Sequence, residues 1–267
     1  MSNRRPNILV TNDDGINAPG IEMLYRSMKK IGDVTVVAPD REMSAAGHAI
    51  TLADPLRVTR VQLEEGVTGH AVDGTPADCV KIAIKALMDR VPDVVVSGIN
   101  QGSNTGINVI YSGTVSAATE GIILGVPSIA FSLATYERFD FTPSGDIART
   151  VVEEVLENGI PDNTLLNVNI PPLPEKDIEG IRVTKQGKAF YNERFDKRTD
   201  PRNRTYYWMT GERMTIEEEE DSDERMVQAG YVSVTPIQYD LTHYKFLRRL
   251  REWNIFSNSH IKVKEIS

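Results

Sequence analysis

The chain has 267 residues, and at about 150 residues per domain that length accommodates one large domain or two modest ones. Thirty Lys+Arg against thirty-eight Asp+Glu leave a net charge of −8, which excludes general binding to a nucleic-acid polymer through phosphate neutralisation. Hydrophobic residues at 40% and charged residues at 25% describe an ordinary globular chain, and the one cysteine, Cys79, has no partner for an intrachain disulfide.

Taken in chain order, the amino terminus places two arginines before an apolar run, but Ile8–Val10 is broken by Thr11 and Asn12. An export signal needs an apolar stretch of about 7–15 residues and a membrane span about 18. A cytoplasmic protein without a membrane partner is therefore expected. Residues 8–11 read as a strand, and residues 19–31 as a helix, with Ile21, Leu24, Tyr25 and Met28 at helical spacing and Gly32 ending it. Residues 34–38 form the next strand. Residues 56–61 and 67–72 alternate like antiparallel ribbons, and Thr75-Pro76-Ala77-Asp78 combines an N-cap, a first-turn proline and a first-turn acid, predicting a helix to about Arg90.

The β-branched run at 94–97 fits a strand buried on both faces. A glycine-rich loop follows, then a helix from about Thr114 to Gly125, a strand at 128–131, a helical pattern at 147–156 and a strand at 165–170. Alternation of this kind predicts an α/β domain on a mostly parallel sheet. Composition changes after Pro171. Residues 186–225 read as hairpins and loops, with Tyr206-Tyr207-Trp208 and the acidic run from Glu217 to Asp221, which is expected to be a solvated loop. A strand returns at 231–235, and 245–253 has the pattern of a basic docking helix. Cys79 falls inside the helix after Thr75, where a small buried apolar role is expected of it.

Three clusters carry chemistry. Asn12-Asp13-Asp14-Gly15 closes the first strand at the sheet edge where α/β folds bind ligands. Two adjacent carboxylates repel each other, and a hard divalent cation relieves that repulsion. Both reach one ion only if the backbone breaks its alternation, which Gly15 permits; the competing reading is an Asx turn that caps the next helix. The second cluster, residues 39–48, follows the second strand at the same edge, where Ser44 supplies a hydroxyl for a cation or phosphate and His48 is a proton carrier or a plain loop residue. The third runs from Ser97 to Thr114. Glycines at 98, 102 and 106 interleave with Asn100, Asn104 and Asn108, and Ser112-Gly113-Thr114 opens a helix whose free N–H groups favour an anion. Neither a Gly-x-Gly-x-x-Gly fingerprint nor a Walker lysine is present.

TNDDG, APDREMSAAGHAIT, SGINQGSNTGINVIYSGTVSAATEG, GVPSIAFS, LLNVNIP and GYVSVTP, in that order over roughly residues 7–245, together resemble the SurE family of survival-protein nucleotidases. The resemblance implies a Rossmann-like three-layer α/β sandwich spanning residues 1–171, and a smaller hairpin-rich region, residues 172–267, that exchanges segments between subunits in a homodimer or homotetramer. It implies one divalent ion per subunit, Mg²⁺ or Mn²⁺, held by Asp13, Asp14, Ser44 and Asn100, with phosphate on Asn104, Ser112, Gly113 and Thr114. Asp240 matches a family aspartate near the active site, and Gln101 receives no role. The implied reaction is metal-dependent hydrolysis of nucleoside 5′-monophosphates, extending to 3′-monophosphates and short polyphosphate, with Asp13 or Asp14 orienting the attacking water. Two rival readings are weighed against it. A nucleotide-binding module without catalysis gains little from two carboxylates that repel its ligand. A phosphatase working through a nucleophilic aspartate needs Asp-x-Asp, and Asp13-Asp14 lacks the intervening residue.

Overall fold

The computed structural model describes residues 4–137, 139–214 and 219–253. Asn7–Thr11 forms the buried strand β1, and after the turn at 12–15 the helix α1 runs over Pro19–Met28, started by a proline in its first turn. Strand β2, Asp33–Pro39, lies parallel to β1. Strands β3, Val58–Glu64, and β4, Val67–Val72, form the antiparallel ribbon, and β4 joins the parallel edge of β2. Helix α2, Pro76–Ile82, opens with the capping box anticipated at Thr75: its hydroxyl accepts the Asp78 N–H, and the Asp78 carboxylate accepts the Thr75 N–H. Its helical course continues as a wider turn over Ala83–Leu87 and ends there, short of Arg90, because Met88 is already extended.

Strand β5, Val94–Gln101, is longer than its β-branched run, since the glycine-rich motif begins within it as a register irregularity between Ser97 and Asn100. Helix α3, Gly113–Ile123, precedes β6, Ser128–Leu133. Helix α4, Thr142–Asn158, starts five residues before the periodic segment at Ile147, with a proline in its first turn. After β7, Thr164–Ile170, and β8, Gly180–Val183, come the two strands β9, Phe190–Thr199, and β10, Thr205–Met214. A short helix α5, Asp223–Gln228, follows, then β11, Tyr231–Gln238, and α6, Tyr244–Leu250. Helix α5 is absent from the sequence-based expectations because six residues give too little periodicity.

Nine strands share one sheet in the order β3-β4-β2-β1-β5-β6-β7-β11-β8. The pairs from β4 through β7 are parallel, β11 runs antiparallel to β7, and β8 is parallel to β11. One face packs α1 and α4 over a core containing Leu24, Ile99 and Phe131, and the other packs α2 and α3 over Leu9, Val37 and Val95. The three-layer α/β architecture is thus the expected one. Strands β9 and β10 stand apart as a two-stranded antiparallel arm on which Phe195, Tyr207, Trp208 and Met209 are exposed, so none of these fills the core.

Cys79 is fully buried, and that burial pushes its thiol pKa well up, as an inert packing role requires. In the acidic run, residues 217 and 218 lie outside the described residues; the exposed Glu219 and Asp221 pair with Lys185. The tail beyond Trp253 likewise lies outside them. Thr75→Ala removes one half of the capping box and should cost about 1 kcal/mol. Chemical denaturation checks this: the midpoint should fall with an unchanged m-value.

Candidate active site

Order at the end of β1 comes from Asn12. Its side chain donates to Gly15 O at 2.9 Å and accepts Gly15 N–H at 3.2 Å, and Gly15 turns the chain with φ of +96°. The Asx turn therefore belongs to Asn12, which leaves the carboxylates of Asp13 and Asp14 for other work. They do not cap α1 either, whose N-cap is Ala18 without a side-chain bond.

Asp13 is 4% exposed and faces the start of α3. It accepts the Thr114 hydroxyl, and the backbone N–H groups of Gly113 and Thr114 bond toward it. Contact is so close that a Cβ at Gly113 would stand 2.6 Å from Asp13 Cβ and 2.8 Å from Oδ2, so only glycine fits. Burial pushes the Asp13 carboxyl pKa up despite these donors. Asp14 is pushed up to about 6, first by burial and then by the charge of Asp13, with Glu42 adding a smaller repulsion; the Gln101 N–H, 3.4 Å away, partly opposes the shift. No cationic side chain among the described residues compensates either charge.

The loop after β2 docks onto this corner through Met43 N–H, which donates to Asp13 O at 2.8 Å. That bond brings Ser44 to the wall of a cleft of about 710 Å³ shared with Asp14, Glu42, Gln101 and Tyr136. Ser44 donates to Glu42 Oε1 at 2.7 Å, which keeps its oxygen lone pairs available. A buried anchor holds the far end of the loop: Glu120, 2% exposed on α3, binds His48 Nε2 at 2.9 Å and Lys81 Nζ at 2.6 Å. His48 is thus a loop-fixing residue here. Asn100, at the end of β5, donates its amide nitrogen to Gly102 O at 2.8 Å, which leaves its Oδ1 as the free end.

The structure brings Asp13, Gly113 and Thr114 into direct contact and lines one cleft with Asp14 and Ser44. Ser112 is the α3 N-cap, accepting Val115 N–H at 3.1 Å. Asn104 is held elsewhere, in a buried amide cluster: its N–H donates to Asn169 Oδ1 at 2.7 Å, its Nδ2 to Ser132 Oγ at 2.8 Å, and its carbonyl accepts from Asn167 and Asn169. Asp240 accepts from Thr242 and Tyr244 near α6 and is not among the residues lining the cleft. Gln101 contributes to Asp14 a backbone N–H that no side-chain motif reveals, and Glu42, within the second cluster, adds a third negative charge that only its proximity to Asp14 identifies.

Among the described residues, no group of three or more His, Cys, Asp or Glu could hold a metal ion. Asp13, Asp14, Ser44 and Asn100 instead offer two carboxylates and two neutral oxygens, an all-oxygen set that suits Mg²⁺ or Mn²⁺ better than zinc. Two adjacent, largely buried carboxylates without a cationic partner fit a divalent cation for the same electrostatic reason that raises their pKa values.

The family model described as "Survival protein SurE" matches residues 8–193. The chain belongs to the SurE family. SurE relatives named "5′-nucleotidase SurE" include that of Christiangramia forsetii, 50% identical over 96% of this chain and 99% of the relative. Another, from Syntrophus aciditrophicus, is 52% identical over 91% and 92%. The crystal structure of the SurE protein from Aquifex aeolicus superposes with a TM-score of 0.81 at 45% identity, covering 92% of this chain and 98% of that one.

Gly113→Ala should weaken Mn²⁺ binding at least tenfold by displacing Asp13, at a stability cost of about 1–3 kcal/mol typical of overpacking. Calorimetric titration of metal-free protein measures the first and thermal melting the second. In the metal-free state Asp14→Asn should raise the melting temperature by about 2–4 °C, the shift that about 1 kcal/mol produces in a chain of this size, since the burial of a charge and its repulsion by Asp13 both disappear.

Proposed function

We propose that the protein is a 5′-nucleotidase that hydrolyses nucleoside monophosphates to nucleoside and phosphate with a divalent cation, Mg²⁺ or Mn²⁺, at Asp13, Asp14, Ser44 and Asn100. The observation that carries this reading is the Asp13-Asp14 pair, largely buried, uncompensated and pressed against the amino terminus of α3, in a chain half identical to proteins named 5′-nucleotidase over nearly its whole length. A cation bound there supplies Lewis-acid stabilisation of phosphoryl charge and acidifies water for attack.

The chain's own residues do the rest. Asp13, tied to Thr114 and Gly113, fixes the distance between the cation corner and the helix terminus. With the Gly113 and Thr114 donors engaged by Asp13, the positive end of the α3 dipole favours the phosphoryl oxygens, the Ser112 hydroxyl stands there able to donate, and Asn104, one amide hydrogen held by Ser132, offers the other on a rigid buried mount. Asp14, on the open side toward the cleft, is the better placed of the two aspartates to orient the attacking water. The nucleoside then occupies the cleft that Gln101 and Tyr136 help to line. A binding module without turnover has no use for the paired charges, and the missing Asp-x-Asp spacing disfavours a phospho-aspartate route.

The same reading places the protein in the cytoplasm as a homodimer or homotetramer, with residues 1–171 as catalytic core and 172–267 as the region used for assembly. The exposed aromatic arm β9-β10 supports the assembly role, and no helix among the described residues is long and apolar enough to cross a membrane. Activity on 3′-monophosphates and short polyphosphate is part of the proposal.

A phosphate-release assay over 5′- and 3′-nucleoside monophosphates and polyphosphate, each with EDTA, Mg²⁺ and Mn²⁺, tests it. Release from 5′-monophosphates, abolished by EDTA, is expected, and Asp13→Asn should lower kcat by about 100-fold or more, the loss of about 3 kcal/mol of transition-state stabilisation. Metal-independent release, or an undiminished Asp13→Asn enzyme, would contradict the assignment.

A further inference from the structure

The segment that carries Asn104 is held from two sides. On the sheet side stand Ser132, Asn167 and Asn169. On the other side, the two residues that follow Asn104 are fastened to α5. Asp223, fully buried, accepts the Gly106 N–H through Oδ2 at 3.0 Å and the Gly187 N–H through Oδ1 at 2.8 Å. Glu224, also buried, accepts the Thr105 hydroxyl with one oxygen and Gln228 Nε2 at 2.7 Å with the other. Two more bonds close the clasp: Gln186 Nε2 donates to Gly106 O at 2.8 Å, and Ile107 N–H to Ala189 O at 3.1 Å. Residues 185–189 lead directly into β9, the first strand of the exposed arm.

Backbone N–H groups donated to a carboxylate oxygen make directional bonds, and removing the acceptor leaves buried donors unsatisfied. One side chain thus fixes both the backbone just after Asn104 and the root of the β9-β10 arm, across 117 and 36 residues of sequence respectively. We propose that Asp223 is a positioning residue for phosphate recognition: it sets the course of residues 104–107, seats the Asn104 amide, and makes that seat depend on how the arm is anchored. Asp223 does not touch the substrate. The inference rests on the assignment of Asn104 to phosphate binding made above.

Asp223→Asn keeps the side-chain shape and one acceptor oxygen, Asp223→Ala removes both acceptors, and Thr105→Val opens the neighbouring Glu224 contact independently. For each full-length variant, KM and kcat for a nucleoside 5′-monophosphate, the inhibition constant of inorganic phosphate and the Mn²⁺ concentration for half-maximal rate are measured, with a thermal melt to establish folding. In Asp223→Asn, KM and the phosphate inhibition constant should rise together by about fivefold to tenfold, as expected for one weakened hydrogen-bonded contact. The rise should be larger in Asp223→Ala and smaller in Thr105→Val, with Mn²⁺ half-saturation changed by less than about twofold, because Asp13, Asp14 and Ser44 stand on other loops and Asn100 is held within β5, ahead of the clasped residues. Unchanged phosphate inhibition in the folded Asp223→Asn and Thr105→Val variants would overturn the proposal, as would a loss confined to kcat or to Mn²⁺ half-saturation. If Asp223→Ala does not fold, the other two variants decide. Should the parent protein release no phosphate from any nucleotide, the functional reading fails by itself, and calorimetric titration with inorganic phosphate and Mn²⁺ then tests the clasp through phosphate affinity alone.

Discussion

Two negative charges from consecutive residues are confined at the end of β1, one of them almost out of reach of water, and the fold offers them hydroxyl and amide donors but, among the described residues, no cationic side chain. Burial raises the pKa of both carboxyl groups, and the charge of Asp13 raises that of Asp14 further. Much of the surrounding structure is arranged around that constraint. Asn12 takes over the turn so that neither aspartate is spent on it, and Gly113 gives up a side chain so that α3 can bring its amino terminus against Asp13. The Met43 N–H pins the loop bearing Ser44 to the same residue's carbonyl, and the Glu120 pairing with His48 holds the other end of that loop on α3. Under the proposed function, a divalent cation at this corner would complete the electrostatics and would join the strand edge, the loop and the helix terminus into one site.

Parallel strands make this economy of position possible. Their carboxyl ends gather on one edge, so β1, β2 and β5 deliver the paired aspartates, the serine loop and Asn100 side by side although they lie far apart in sequence. The second layer of support comes from outside that pattern. Helix α5 reaches the segment after Asn104 from a part of the chain more than a hundred residues away, and β11 inserts itself between β7 and β8, so the region beyond residue 171 is woven into the sheet as well as projecting from it.

Legibility in the sequence followed the range of the interactions. The strand and helix order through β7 was readable because apolar periodicity, Pro76 and the Thr75–Asp78 cap are local signals. The contact of Asp13 with α3 could be anticipated only as a matter of shared edge, and the reason Gly113 must be glycine became visible only with the two segments packed together. Helix α4 began earlier than its periodic stretch because Thr142-Pro143 is a start signal with few apolar residues behind it, while α5 was too short to show a period. Gln101 acts through its backbone and Asp223 through partners 117 and 36 residues away, and neither kind of information is carried by a side-chain pattern. Asp240 matched by motif, yet its carboxylate is engaged with Thr242 and Tyr244.

Crystals grown with Mn²⁺ and a non-hydrolysable nucleotide analogue, with diffraction recorded at the manganese absorption edge, test the central claim most directly. The account predicts one anomalous peak per subunit within bonding distance of carboxylate oxygens of both Asp13 and Asp14, with a phosphoryl oxygen beside it. A manganese peak away from this pair, or a nucleotide phosphate bound with no metal between it and the aspartates, would contradict it.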